Sequence, residues 1–238
     1  MLDGSLFPPV QRSRGQVSAS FADRRGTTRP TDLHQSGSAR ILLPRTNLTT
    51  PEVVFLNTSG GLTSGDRLDL TLTLGDHTRL LATTQTAEHA YHAPDGPAQV
   101  TITAHVGAGS RLDWMPQETI LYQSSNLIRR TDINLAADAR CLLAETVIPG
   151  RHAMGKVVTN ATLLDHRLIR RAGRPVWAES LHLTPETLAA DGPALLNGAR
   201  ALAVVCFVAQ GPRMLSPPCA PPFPTLPFPA GTANALSA

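Results

Sequence analysis

The chain has 238 residues, 42% hydrophobic and 16% charged, a balance that excludes both a strongly charged disordered chain and a coiled coil. Its formal net charge is only +3, with twenty of the 21 basic residues Arg and 4% aromatics, which leaves neither a nucleic-acid footprint nor a stacking platform for single strands. The longest unbroken apolar stretch, Ala201 to Ala209, falls far short of the ~20 residues that cross a bilayer, and Met1 to Val10, with Asp3 and a Pro pair, does not read as a signal peptide.

In chain order, the first candidate strand is Gly15–Phe21, where Gln16, Ser18 and Ser20 alternate with Val17, Ala19 and Phe21. Ala39–Leu43 and Glu52–Leu56 are the next two. The second runs into Asn57-Thr58-Ser59-Gly60-Gly61-Leu62-Thr63-Ser64-Gly65-Asp66, whose glycines imply backbone conformations that other residues adopt only at a cost.

From Asp66 to Gly150 the chain repeats itself. Leu68–Leu74, Val100–Val106 and Thr131–Leu135 alternate apolar and polar residues as half-buried strands do. Each meets a small or acidic turn, then an Arg and a second strand: Arg79-Leu80-Leu81, Arg111-Leu112-Asp113-Trp114 and Arg140-Cys141-Leu142-Leu143. Units of about 30 residues built this way cannot bury an apolar face alone and must stack. The expectation is a mainly β fold of stacked strand repeats, helix-like or solenoidal, with one or two C-terminal helices.

Each second strand also ends in polar residues at nearly the same phase: Thr83-Thr84-Gln85, Gln117-Glu118-Thr119 and Glu145-Thr146. Stacked in register at about 4.8 Å, they form a polar column in or beside the core; facing water, they are loop residues. The pattern allows both. Further on, Lys156–Leu164, Arg167–Ile169 and Val176–Leu183 read as strands, and Thr184-Pro185-Glu186 as a helix start with Thr184 as N-cap. Residues 210–238 change character, with eight prolines after Gln210, so the chain divides into a β-rich domain over 1–209 and a Pro-rich tail over 210–238 expected to be disordered. Cys141, Cys206 and Cys219 contain no CxxC, so neither a disulfide framework nor a zinc knuckle is expected and a reducing, cytoplasmic setting fits.

Few motifs carry chemistry. The Gly60–Asp66 loop lacks the Lys of a Walker sequence and leads into a strand, not a helix. Glu88-His89-Ala90-Tyr91-His92 resembles a metal site, but on a strand His89 and His92 point to opposite faces. Neither a nucleophile elbow nor another catalytic signature is present, so no enzyme is expected. What remains is Asp66, Glu118, Glu145 and Glu179, carboxylates in or beside apolar strands, where a lone buried charge costs several kcal/mol unless paired or metal-bound. Pairing with Arg111, Arg140, Arg151 or Arg167 is one explanation, and metal binding the other.

Several segments together resemble the urease accessory protein UreD family, also called UreH: Leu56–Asp66, Ala82–Glu88, Trp114-Met115-Pro116-Gln117-Glu118-Thr119-Ile120, Gly150-Arg151 before Met154-Gly155, and Gln35–Arg40. The likeness covers roughly residues 10–208. It implies a nickel-insertion chaperone that binds apo-urease and a UreF partner, which recruits the GTPase UreG, and a β-rich fold with an internal passage for the ion. Nickel(II) accepts carboxylate, imidazole and water, and a conduit must hold it loosely enough to release it. The expected path is therefore a relay of weak sites at Asp66, Glu118, Glu145 and Glu179, with Thr84 and Gln85 as polar lining, no permanently bound cofactor and no catalytic residue. The rival readings are a passive β-solenoid scaffold without a conduit and a metalloenzyme built on Glu88, His89 and His92. The family normally continues with more strand and helix past the equivalent of Val208, so a change of reading frame or a truncation is expected there.

Overall fold

The computed structural model describes residues 12–45, 50–151, 155, 157–190, 192 and 195–210. The repeat resolves into two facing sheets. In the first, β5 (Arg67–Leu74), β8 (Ala98–Val106), β11 (Ser125–Leu135) and β13 (Ala161–Arg171) lie parallel and bury alternate side chains. β1 (Arg14–Arg24) extends this sheet parallel to β5, with β2 (Thr27–Gly37) antiparallel at one edge and β14 (Arg174–Leu183) antiparallel at the other.

The second sheet places β4 (Glu52–Asn57), β6 (Arg79–Thr84), β9 (Arg111–Trp114) and β12 (Arg140–Pro149) side by side and parallel. β3 (Ala39–Leu42) pairs antiparallel with β4, and β15 (Leu202–Val208) antiparallel with β12. Two short strands, β7 (Glu88–Ala90) and β10 (Thr119–Leu121), continue the sheet beside the C-terminal end of β12.

Because the chain steps from β5 to β6, from β8 to β9 and from β11 to β12, it winds a β-solenoid of about four turns. The spacing of Arg79, Arg111 and Arg140 is the length of one coil, and the three stand in register on adjacent strands. Between coils, Asp76 Oδ1 accepts the Ala108 N–H at 2.7 Å and Asp138 Oδ1 accepts the Gly109 N–H at 2.9 Å. The turns thus satisfy one another's backbone donors where strand pairing ends.

A single apolar core fills the space between the sheets, with Leu72, Leu80, Leu112, Leu143 and Leu163 all buried. Truncating any of these to Ala costs about 2–5 kcal/mol, because one coil cannot relax without its neighbours. Phe55 of β4 and Trp114 of β9 meet inside the core past the intervening strand β6, with ring centroids 6.1 Å apart.

The structure corrects one strand boundary and adds detail at two other places. β2 carries no readable alternation, since only Thr28 of its residues is buried, and its place comes from backbone pairing with β1. The strand expected over 156–164 begins at Ala161 and runs unbroken to Arg171; Asp165 and Arg167 interrupt its apolar pattern but point into the core. Of the one or two C-terminal helices, the described residues hold one, α1 (Pro185–Ala189), capped by Thr184, whose Oγ1 accepts the Thr187 N–H. The tail after Gln210 lies outside the described residues.

Candidate functional site

Five charged side chains meet between the sheets. On β11 and β13, Arg129 stands opposite Asp165 and Thr131 opposite Arg167, and all four are inward-facing and buried. From the second sheet β12 contributes Glu145, 2% exposed. Glu145 Oε2 accepts from Arg167 Nε at 2.6 Å and lies 3.3 Å from Arg129 Nη2, while Oε1 accepts from Trp114 Nε1 at 2.8 Å. Asp165 receives Arg129 through Nε and Nη2 at 3.0 and 2.5 Å, and also Arg167 Nη2. Arg129 Nη1 reaches Thr119 Oγ1 at 3.0 Å, and Arg167 Nη1 reaches the half-exposed Glu179 at 3.0 Å.

Stripping water from such charges costs several kcal/mol per ion, and only saturated pairing offsets it. Burial pushes the Glu145 carboxyl up, but the charges of Arg129 and Arg167 outweigh burial and hold it below its ordinary value. Burial likewise pulls Arg129 down, and Glu145 with Asp165 more than reverses this. The network joins both sheets through charge.

Beside it lies open space. A cavity of about 250 Å³ is bounded by Phe55, Asn57, Leu68, Leu70, Thr84 and Glu88. A smaller one of about 50 Å³ beside it is bounded by Trp114, Gln117, Thr119, Arg129 and Glu145. Leu68, Leu70, Thr84 and Glu88 line both, so Glu88 is the titratable group at their junction. Both Glu88 oxygens accept from Asn57 Nδ2, at 3.2 and 3.3 Å.

The orientation of Asn57 is fixed locally. Its Oδ1 accepts the Ser59 N–H at 3.1 Å and the Ser59 hydroxyl at 2.6 Å, an Asx turn that leaves Nδ2 aimed at Glu88. Burial raises the Glu88 carboxyl to about 7, with the Asn57 hydrogen bond lowering it only in part. Unlike Glu145, Glu88 forms no ion pair among the described residues.

The other expected residues fall apart in space. Asp66 is buried at the head of β5, where Oδ1 accepts the Ser13 N–H at 2.7 Å and Oδ2 the Thr63 N–H at 2.9 Å; it closes the first coil and lines neither cavity. Glu118 lies between β9 and β10 outside both linings, and its carbonyl accepts the Glu88 N–H at 2.9 Å. Thr84 lines both cavities, whereas Gln85 is exposed on the outside. The structure therefore brings together Glu145, Glu179 and, through the cavity, Thr84.

Glu88, His89 and His92 do not converge. His89 lies between Tyr91 and Tyr122, at centroid distances of 5.8 and 5.6 Å, and His92 is exposed in a bridge to Ser125. Among the described residues no three side chains of His, Cys, Asp or Glu gather as a metal-binding group. Arg129 and Asp165 were missed because the strands holding them read as shorter than they are. Their signal is a charged residue repeating at the inward phase of an apolar strand, as in Asp165-His166-Arg167.

Comparison with known proteins identifies the family. A family model described as UreD urease accessory protein matches residues 13–220. The chain is 50% identical over 211 residues to the urease accessory protein UreD of Cereibacter sphaeroides, a match covering 87% of this chain and 77% of that protein. To the protein of the same name from Paracoccus denitrificans it is 47% identical over 214 residues, with 87% and 75% covered. For that of Rhizobium leguminosarum bv. viciae the figures are 42% over 204 residues, with 85% and 74% covered. No helix among the described residues is long and apolar enough to cross a membrane. The chain belongs to the UreD family of urease accessory proteins.

Proposed function

We propose that this chain serves urease maturation in the cytoplasm by binding apo-urease together with a UreF partner, which brings the GTPase UreG, and by letting nickel(II) pass between its two sheets. No bond is broken on the chain itself; GTP hydrolysis belongs to UreG. The observation that carries the reading is Glu88, a carboxyl without an ion-pair partner among the described residues, in the wall shared by two neighbouring inter-sheet cavities. One carboxylate with nearby hydroxyl and amide groups holds a partly hydrated divalent ion weakly, as passage requires. Beyond it, the ion meets Glu145 and Glu179, whose Arg partners keep them from forming a trap.

The scaffold reading has its own supporting observation: the same Arg partners already saturate Glu145. Glu88 separates the two. With all urease genes co-expressed, Glu88→Gln is expected to lower urease activity about tenfold or more while the accessory complex with urease is recovered in normal yield. Full activity in that variant selects the scaffold.

A further inference from the structure

The arginine repeat is left unused by this function. Arg79, Arg111 and Arg140 are opposite one another on β6, β9 and β12, all on the outer face of the second sheet and all exposed. Adjacent strands stand about 4.8 Å apart, so like charges directly opposite repel. Only Arg111 has an ion pair among the described residues, with Asp113 at 2.8 Å. Such a row is unfavourable for the free protein and is relieved by counter-charge from outside.

One step further along the same strands the face turns apolar. Leu81 and Leu142 flank Asp113, and Leu142 stands opposite Phe207 of β15. Ala144 stands opposite Val205 in the next row. An edge strand with one buried face normally turns polar residues outward. Here the outward positions of β15 are Ala203, Val205 and Phe207, with Val205 70% and Phe207 59% exposed. Two residues of strand, about 7 Å, separate the apolar strip from the arginine row.

We propose that this outer face is a docking surface for a protein partner that lays down an amphipathic helix, its apolar stripe on Leu142, Val205 and Phe207 and its carboxylates on Arg79, Arg111 and Arg140. Charge complementarity selects an acidic protein partner, and the apolar strip about 7 Å away one whose carboxylates flank an apolar stripe. Residues 211–238 hold no Asp or Glu, so the chain's own C-terminal segment cannot neutralise the row. A second copy brings the same row instead of its counter-charge. Nucleic acid would meet the arginines but gain nothing from the apolar strip. The proposal rests on the reading of this chain as a protein-binding accessory factor and names the surface that reading requires.

The test uses the full chain with two purified probes, apo-urease and UreF, and three variants: Arg79→Glu/Arg111→Glu/Arg140→Glu, the charge-preserving Arg→Lys triple, and Phe207→Ser. Thermal unfolding confirms that each variant is folded. Expected is a dissociation constant raised about tenfold or more for one probe in both the Glu triple and Phe207→Ser, retention of binding in the Lys triple, and weakening of wild-type binding between about 0.1 and 0.5 M salt. Binding of both probes within about twofold of wild type overturns the docking surface. So does a wild-type homodimer that the variants dissociate, or displacement of the bound probe by short duplex DNA. Failure of the wild-type chain to bind either probe overturns the proposed function itself, which distinguishes the two failures.

Discussion

Arg167 Nε lies 2.6 Å from Glu145 Oε2, so a strand of one sheet is tied to a strand of the other by a buried charge pair. Removing one partner leaves the other buried without compensation. Glu145→Ala is therefore expected to destabilise the chain by about 3–5 kcal/mol, and Glu145→Gln, which can still accept from Trp114, by less. Urea denaturation at pH 7 measures both.

The same pair sets a pH dependence. The folded state holds the Glu145 carboxyl below its ordinary value of 4.5, so its stabilisation is complete above that pH and is lost as pH falls through the folded value. Glu145→Gln should therefore lose less stability than the wild type on acidification below pH 4.5, as read by unfolding midpoints across that range.

Glu88 has the opposite sign. Its carboxyl is raised from 4.5 to about 7 in the folded chain, so the folded state binds the proton more tightly than the unfolded state does. The resulting stabilisation is complete below pH 4.5 and is lost as pH rises through 7. Glu88→Gln, permanently neutral, should be more stable than wild type at pH 8 and nearly equal at pH 4.5; melting temperatures at the two pH values decide it.

Asp66 accepts two backbone N–H groups that close the first coil. Asp66→Ala leaves both without their acceptor and is expected to cost about 2–4 kcal/mol. Because Asp66 lines neither cavity, urease activation per folded molecule should stay at the wild-type level, measured as activity normalised to recovered complex.

Gly37 has φ +60°, and a Cβ built there would lie 1.6 Å from the Arg14 carbonyl oxygen. Gly37→Ala must displace the end of β2 from the start of β1, at a cost of about 2 kcal/mol or more. Faster hydrogen exchange confined to residues 27–37 would report it.

The solenoid was legible because its coils leave two independent traces, period-two alternation and an arginine recurring after 32 and 29 residues, and both follow from strands stacking in register. β2 was not, because an edge strand exposed on nearly every residue has no burial pattern to show. The site was read in part. Glu145 stood out as a carboxylate among apolar neighbours, and Arg167 was among the partners weighed for it. Arg129 and Asp165 sit in strand segments whose apolar rhythm their own charges interrupt. Glu88 drew notice for its histidine neighbours, yet its place at the cavity junction depends on Asn57, some thirty residues earlier, and no local spacing displays that contact.

In the proposed function nickel passes between the sheets by way of Glu88. Urease co-expressed with the complete accessory set should be purified from cells carrying the wild-type chain, Glu88→Gln or Glu88→Lys, and its nickel counted per active site by elemental analysis. Near-full occupancy is expected with the wild-type chain, a strong loss with Glu88→Gln and almost none bound with Glu88→Lys, at equal recovery of the complex. Equal nickel occupancy in all three would contradict it.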